Sequence, residues 1–293
     1  MNKSSLISPK VRNALDQARF FFTRKGTKTI FIEGSKDFKM LYPLINETYR
    51  LEVLDGKPNI MFVENKYSQD KFALANKYVM FMADVDYDVV IQNKMSDYVH
   101  YNVLCNNAGF IYNDLEIFLI NTIALKKVLV NYGVEFSDSD VEMLKNALEK
   151  TSRFFGKYRA ADEFLKKKLG GNSILNGFSI EDYVIVTDKL VEPDSSGFLS
   201  QLPLWANRKE YIEDLLEEAN QFNNKCVKEW ALSNGHDVTQ ILALFISEAL
   251  SANRRNKISI KSNDIEMLLR VACEKNDYEK SPMGHALRRF GAI

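Results

Sequence analysis

Apolar Val11, Leu15, Ala18 and Phe22 recur at spacings of three and four between Pro9 and Arg24, which predicts an amphipathic helix with Pro9 at its start. Thr29-Ile-Phe-Ile32 is a continuous apolar run, the pattern of a strand buried on both faces, and Gly34-Ser35 then turns the chain. Phe38, Leu41, Leu44 and Ile45 predict a short helix that Pro43 kinks or ends. Asn59-Ile-Met-Phe-Val63 reads as a second buried strand, Ser68 to Lys77 as a helix with Ser68 as N-cap, and Tyr78-Val-Met-Phe-Met-Ala83 as a third strand. His100 to Leu104 is expected to add another strand, and Asn113 to Val130 to be helical. Strand, helix, strand, helix, strand at this spacing argues for an α/β layer with a mostly parallel sheet flanked by helices.

After Val134 the pattern becomes mainly helical. Ser137–Leu169, Arg208–Leu232, Val238–Ala252, Asn263–Glu274 and Pro282–Phe290 read as helices. The stretch from Asp188 to Pro203 holds Pro193, Ser195, Ser196 and Gly197 and reads as a loop or linker. The expected division is an α/β domain over 1–134 with an N-terminal helix, and a mainly helical region over 135–293 that completes or flanks it.

Composition changes this picture little. The chain has 293 residues, 46% apolar and 27% charged, which excludes general disorder. Lys plus Arg and Asp plus Glu are each 39, so no whole-molecule field draws the protein to nucleic acid or membrane. Charge is segregated locally instead: residues 1–28 carry a net +6, residues 145–170 a net +5 and residues 181–220 a net −7. Two basic segments are candidates to line a polyanion path, and the acidic one to face a protein partner; solvated helix faces have the same composition. Cys105, Cys226 and Cys273 are odd in number and far apart, which argues against a zinc site or a disulfide framework and for a reducing cytoplasm. No signal-peptide core and no membrane-length apolar run is seen, so no membrane association is expected.

The chemistry lies at the strand ends. Glu33-Gly34 follows the first apolar run, and Asp84-Val-Asp86 follows the third. In open α/β sheets ligands bind at the carboxyl ends of the strands. If the two strands are neighbours, Glu33, Asp84 and Asp86 converge at one edge, and a hard divalent cation relieves their repulsion. Mg2+, or Mn2+, binds through one or two carboxylates plus substrate phosphate, which suits phosphoryl transfer. Each element alone has a plainer reading: Glu-Gly as a turn, Asp-x-Asp as a loop or cap.

Glu33-Gly34, with Asp37 behind it, and Asp84-Val-Asp86 resemble the TOPRIM domain of topoisomerases, primases and related nucleases. Tyr112-Asn-Asp114-Leu-Glu116-Ile-Phe-Leu119 and Asn234-Gly-His236-Asp237-Val-Thr-Gln-Ile-Leu242 are similar to two later motifs of a TOPRIM-related family. Some of its members are effector nucleases of bacterial anti-phage systems, among them the nuclease subunits of the PARIS type. The resemblance implies a TOPRIM-like fold over about residues 28–120 and a metal-dependent, toxic nuclease. It also implies an RNA substrate, transfer RNA in particular, and control by an ABC-type ATPase partner. Glu33 takes the place of the general acid/base and possible metal ligand, Asp84 and Asp86 of the metal-binding aspartates, and Glu116 of a later acidic residue.

Local roles compete at four of these positions. Asn113-x-x-Glu116 is also a capping box, and Asp237-Val-Thr-Gln240 reads as a cap with Gln at N3. Asp37 complements a helix dipole wherever it sits in a first turn. His236 follows Gly235 and is either a loop histidine or a phosphate or proton contact. Asp114, within the third motif, is a further candidate.

The chain departs from the larger TOPRIM enzymes. It lacks the room for topoisomerase domains, the zinc cysteines of a primase and any Gly-x-x-x-x-Gly-Lys phosphate loop. Two other functions share these residues: a non-catalytic TOPRIM-like interaction subunit, and a nucleotide-sugar transferase using Asp-x-Asp, against which Glu33-Gly34 argues. A homo-oligomer is also compatible with the sequence.

Overall fold

A computed structural model of the chain describes residues 7–101, 109–187, 190–252 and 257–293. In chain order the elements are α1 (Pro9–Arg12), α2 (Ala14–Lys25), β1 (Lys28–Ile32), α3 (Ser35–Leu41), β2 (Tyr49–Val53), α4 (Lys57–Gln69), α5 (Lys71–Asn76), β3 (Val79–Ala83) and β4 (Val99–Tyr101). There follow α6 (Leu115–Ile120), α7 (Ala124–Asn131), α8 (Asp138–Lys168), β5 (Val184–Thr187), β6 (Leu190–Pro193), α9 (Ser195–Trp205), α10 (Ile212–Lys225), α11 (Gly235–Ser251), α12 (Ser262–Ala272), α13 (Lys275–Glu279) and α14 (Pro282–Phe290). Two compact units result: an α/β unit of residues 1–84, 94–103 and 275–293, and a mainly helical unit of residues 85–93 and 104–274. Among the described residues no helix is long and apolar enough to cross a membrane.

In the α/β unit, four strands pair in the order β2-β1-β3-β4, all parallel. Period-two alternation sends Phe31, Val79, Phe81 and Ala83 to one face, where they join Val11, Leu15, Ile60, Val63 and Tyr67 from α1, α2 and α4 in one core. Ile30, Ile32, Met80 and Met82 alternate to the other face and are equally buried. Helix α3 packs on β2 and α14 on β4. With both faces covered, β1 and β3 read as unbroken apolar runs.

Several expected elements take another form. Residues 59–63 lie in α4, not in a strand. Pro58 stands in the first turn of α4, and the buried positions Ile60, Val63, Glu64 and Tyr67 follow a helical stripe. A carboxylate in that stripe hid the period, and contiguous Ile60 to Val63 mimicked a strand. The second strand is β2, an edge strand whose Arg50 and Glu52 alternate with Tyr49, Leu51 and Val53. Asp70, not Ser68, caps α5, accepting from the Phe72 and Ala73 amides. The single helix expected over 9–24 is broken at Asn13, and that over 113–130 at residues 121–123. The loop expected over 188–203 contains β6, antiparallel to β5, and α9, capped by Asp194; residues 188–189 lie outside the described ones, as do 102–104 of the fourth expected strand.

The helical unit is organised on α8, whose Ser137 cap accepts from the Asp140 amide. Helices α10 and α11 pack on α8, and α12 packs on α7 and α11. Charges on α8 are largely spent internally: Arg153 meets Glu149, Arg159 meets Asp237, Lys167 meets Glu163 and Asp88, and Lys168 meets Glu218 of α10. One of these pairs, Lys168 with Glu218, joins the basic segment 145–170 to the acidic segment 181–220.

Candidate active site

β1 and β3 are neighbours, and each runs directly into a carboxylate, Glu33 after Ile32 and Asp84 after Ala83. From β1 the chain goes to β2 on one side and then to β3 on the other, so the order reverses between β1 and β3. Such a reversal is where open α/β sheets take ligands, and Glu33 and Asp84 stand at the carboxyl ends of the two strands that flank it. Both are half-buried. Glu33 Oε2 accepts from the Asp84 amide at 3.3 Å and Oε1 from the Lys57 amide at 3.1 Å. Lys57 opens α4, so the carboxylate satisfies an N–H that a helix start leaves over and lies at the positive end of the dipole. Asp55 and Gly56, at φ 59° and 117°, bend the backbone that brings Lys57 to it. A carboxylate offers about four lone-pair sites, so two amide bonds and a cation are compatible. Asp37 turns back instead: its Oδ2 accepts from the Gly34 amide at 2.8 Å and closes the first turn of α3.

The helical unit joins the two later motifs. Backbone pairing of Ile111 and Gly109 with Glu229 sets residues 109–114 alongside 229–235. Asn113 Nδ2 donates to the Ala231 and Ser233 carbonyls, both at 2.8 Å. The cap of α6 is Asp114, not Asn113: Oδ1 accepts from the Ile117 amide at 2.9 Å, and Oδ2 from the Gly235 amide at 2.6 Å at the start of α11. One buried carboxyl group thus serves two helix starts. Gly235 has to be glycine, since a Cβ there would lie 2.2 Å from Asp114 Oδ1. Burial first, and then Glu116, push Asp114 up to about 8, although its two amide donors pull the other way. Asp86 is exposed in a left-handed conformation, φ 49°, and its amide donates to the Asn113 carbonyl at 2.9 Å. Asn113 Oδ1, Ser233 Oγ and Tyr87 OH are buried without a hydrogen-bond partner among the described residues.

The other candidates have charged partners that sequence spacing did not reveal. Glu116 is buried, 3.6 Å from Arg270 Nη1 of α12, an ion-pair rather than a hydrogen-bond distance. Asp237 is at the third position of α11, which Asn234 caps, and so is not the cap itself; Arg159 grips it with two bonds of 2.8 Å. His236 is 59% exposed, and its Nδ1 is 3.0 Å from Oε1 of Glu266, which is 1% exposed. Arg159, Glu266 and Arg270 come from helices α8 and α12, and no short motif links them to 234–242.

Among the described residues, no three His, Cys, Asp or Glu side chains form a ready-made metal cage. The hard oxygens of Glu33 and Asp84 still fit Mg2+, which takes one or two protein carboxylates and fills its shell with water and phosphate. No protein-family model matches the chain, and no curated protein matches it.

Proposed function

We propose that the protein is a metal-dependent phosphodiesterase of TOPRIM type that cleaves nucleic acid, RNA in preference to DNA. The observation that carries this reading is the pair Glu33 and Asp84 at the carboxyl ends of β1 and β3, where the order of a parallel sheet reverses. Asp84 would hold Mg2+ or Mn2+, which when bound would supply positive charge to the phosphoryl oxygens. Glu33, held by the Asp84 and Lys57 amides, accepts the proton of the attacking oxygen and returns it to the leaving one. Its fixed orientation lets that transfer occur without reorganisation. The resemblance of the 33–37, 84–86, 112–119 and 234–242 motifs supports the narrower reading: a cytoplasmic, toxic anti-phage effector that acts on transfer RNA and is restrained by an ABC-type ATPase.

Incubating the purified protein with total RNA and with plasmid DNA, with and without Mg2+ or Mn2+, tests this. Metal-dependent loss of transfer RNA is the expected result, and cleavage of duplex DNA with transfer RNA intact would overturn the RNA preference. A non-catalytic interaction subunit is the second reading, favoured by the bond that makes Glu33 a cap for α4. It predicts no cleavage under any of these conditions.

A further inference from the structure

Residues 19–28, Arg-Phe-Phe-Phe-Thr-Arg-Lys-Gly-Thr-Lys, hold four cations and no acid. They form the last turns of α2 and the entry to β1. Phe20 is 55% exposed on α2, although an apolar ring of that size gains by burial. It forms a T-shaped pair with Phe21, 5.8 Å between ring centroids. Phe21 in turn carries the Arg50 guanidinium 4.5 Å from its centroid and Lys25 Nζ 5.9 Å from it. Lys28 Nζ lies 4.9 Å from the Phe290 ring. Ion pairs claim Arg50, with Glu52, and Arg19, 4.0 Å from Asp70 and stacked on Phe72, which leaves Arg24, Lys25 and Lys28 for the surface; the exposed acid on this helix is Asp16, one turn before Phe20. On α8, by contrast, Arg153, Arg159, Lys167 and Lys168 are drawn into ion pairs.

From these observations we infer that the end of α2, with Arg50 beside it, is a binding surface for single-stranded nucleic acid, separate from the carboxylate edge. Cations interleaved with an exposed ring are what a flexible strand with alternating phosphates and bases needs: Arg24, Lys25 and Lys28 meet phosphate, and Phe20 offers its face to a base. A plain polyanion would use the cations and leave Phe20 idle. The surface adjoins the start of β1 whereas Glu33 follows its end, about 17 Å away at the strand rise of about 3.3 Å per residue. It therefore holds a substrate by a stretch that is not being cut. The inference takes from the phosphodiesterase reading only the reason such a substrate visits; the binding itself does not depend on Glu33.

The test is fluorescence anisotropy of the full chain in EDTA with a short single-stranded RNA, a duplex RNA of the same length, and phosphatidylserine vesicles. Phe20→Ala is expected to bind the single strand roughly tenfold more weakly and the duplex unchanged. Arg24→Gln with Lys25→Gln is expected to lower the slope of log affinity against log salt by about 1.4. A wild-type protein that binds through Phe20 in EDTA but never cleaves once Mg2+ is restored would retain this surface and lose the phosphodiesterase reading. Equal single-strand affinity of Phe20→Ala and wild type, at unchanged Tm, overturns the inference. So does binding to vesicles that falls with Phe20→Ala while RNA binding does not.

Discussion

Glu33 carries two loads, and substitutions separate them. Glu33→Ala removes the acceptor for the Lys57 amide at the start of α4 and is expected to cost about 1 kcal/mol, as loss of a helix cap does. Glu33→Gln keeps one carbonyl oxygen for an amide and is expected to stay closer to wild type in urea denaturation. Both are expected to lose at least about 10²-fold in cleavage rate, because neither moves a proton. At Asp114 the expected effect is on pH. Burial and Glu116 raise it to about 8, so between the ordinary carboxylate range and that value the folded protein keeps a proton the unfolded chain releases. The native state then binds more protons, and stability falls as pH rises across that window. Asp114→Asn places an NH2 group where one of two amides needs an acceptor, and is expected to be less stable throughout but to lose this contribution. Urea midpoints of both proteins at pH 5 and pH 8 check it; an equal fall in both, or a rise in the wild type alone, contradicts it.

At the scale of elements, α8 fixes the segment that carries the 234–242 motif. Arg153 donates to the carbonyls of Cys226 and Lys228, Glu149 accepts from the Trp230 amide, and Ser152 Oγ accepts from the Asn234 amide. Gly156 lets the backbone come close: a Cβ there would lie 1.6 Å from the Leu232 carbonyl oxygen. In an ordinary helix interior Gly→Ala stabilises by about 1 kcal/mol. Gly156→Ala is expected to do the reverse, losing about 3 kcal/mol or more, since the obstacle is backbone and cannot swing aside; a thermal melt at or above the wild-type Tm contradicts it. Such close approaches explain why only part of the molecule was legible in its sequence. β1 and β3, unbroken and apolar, were readable, and with them Glu33 and Asp84. β2 was not, because an edge strand with Arg50 and Glu52 has a weaker signal than the buried run in α4. Arg159, Glu266 and Arg270 were hidden for another reason. Their role comes from pairing across long sequence separations, which no local period encodes.

For the whole molecule, a net charge of zero hides its arrangement. Lys168 and Glu218 join α8 to α10, while Glu213, Asp214 and Glu217 of α10 remain exposed. An acidic face repels nucleic acid and is open to a protein partner. If the proposed ABC-type ATPase docks there, charge reversal at Glu213 and Glu217 is expected to abolish its co-purification while cleavage by the isolated protein stays at the wild-type rate; co-purification retained by the variant contradicts this assignment. The carboxylates closing β1 and β3 are proposed to perform metal-dependent phosphodiester cleavage. The most direct test is the single-turnover rate of transfer RNA cleavage by wild type, Glu33→Gln and Asp84→Asn, each in Mg2+ and in EDTA. Wild type is expected to cleave only with Mg2+, with both variants slower by at least about 10²-fold. Cleavage by both variants at the wild-type rate would contradict the account.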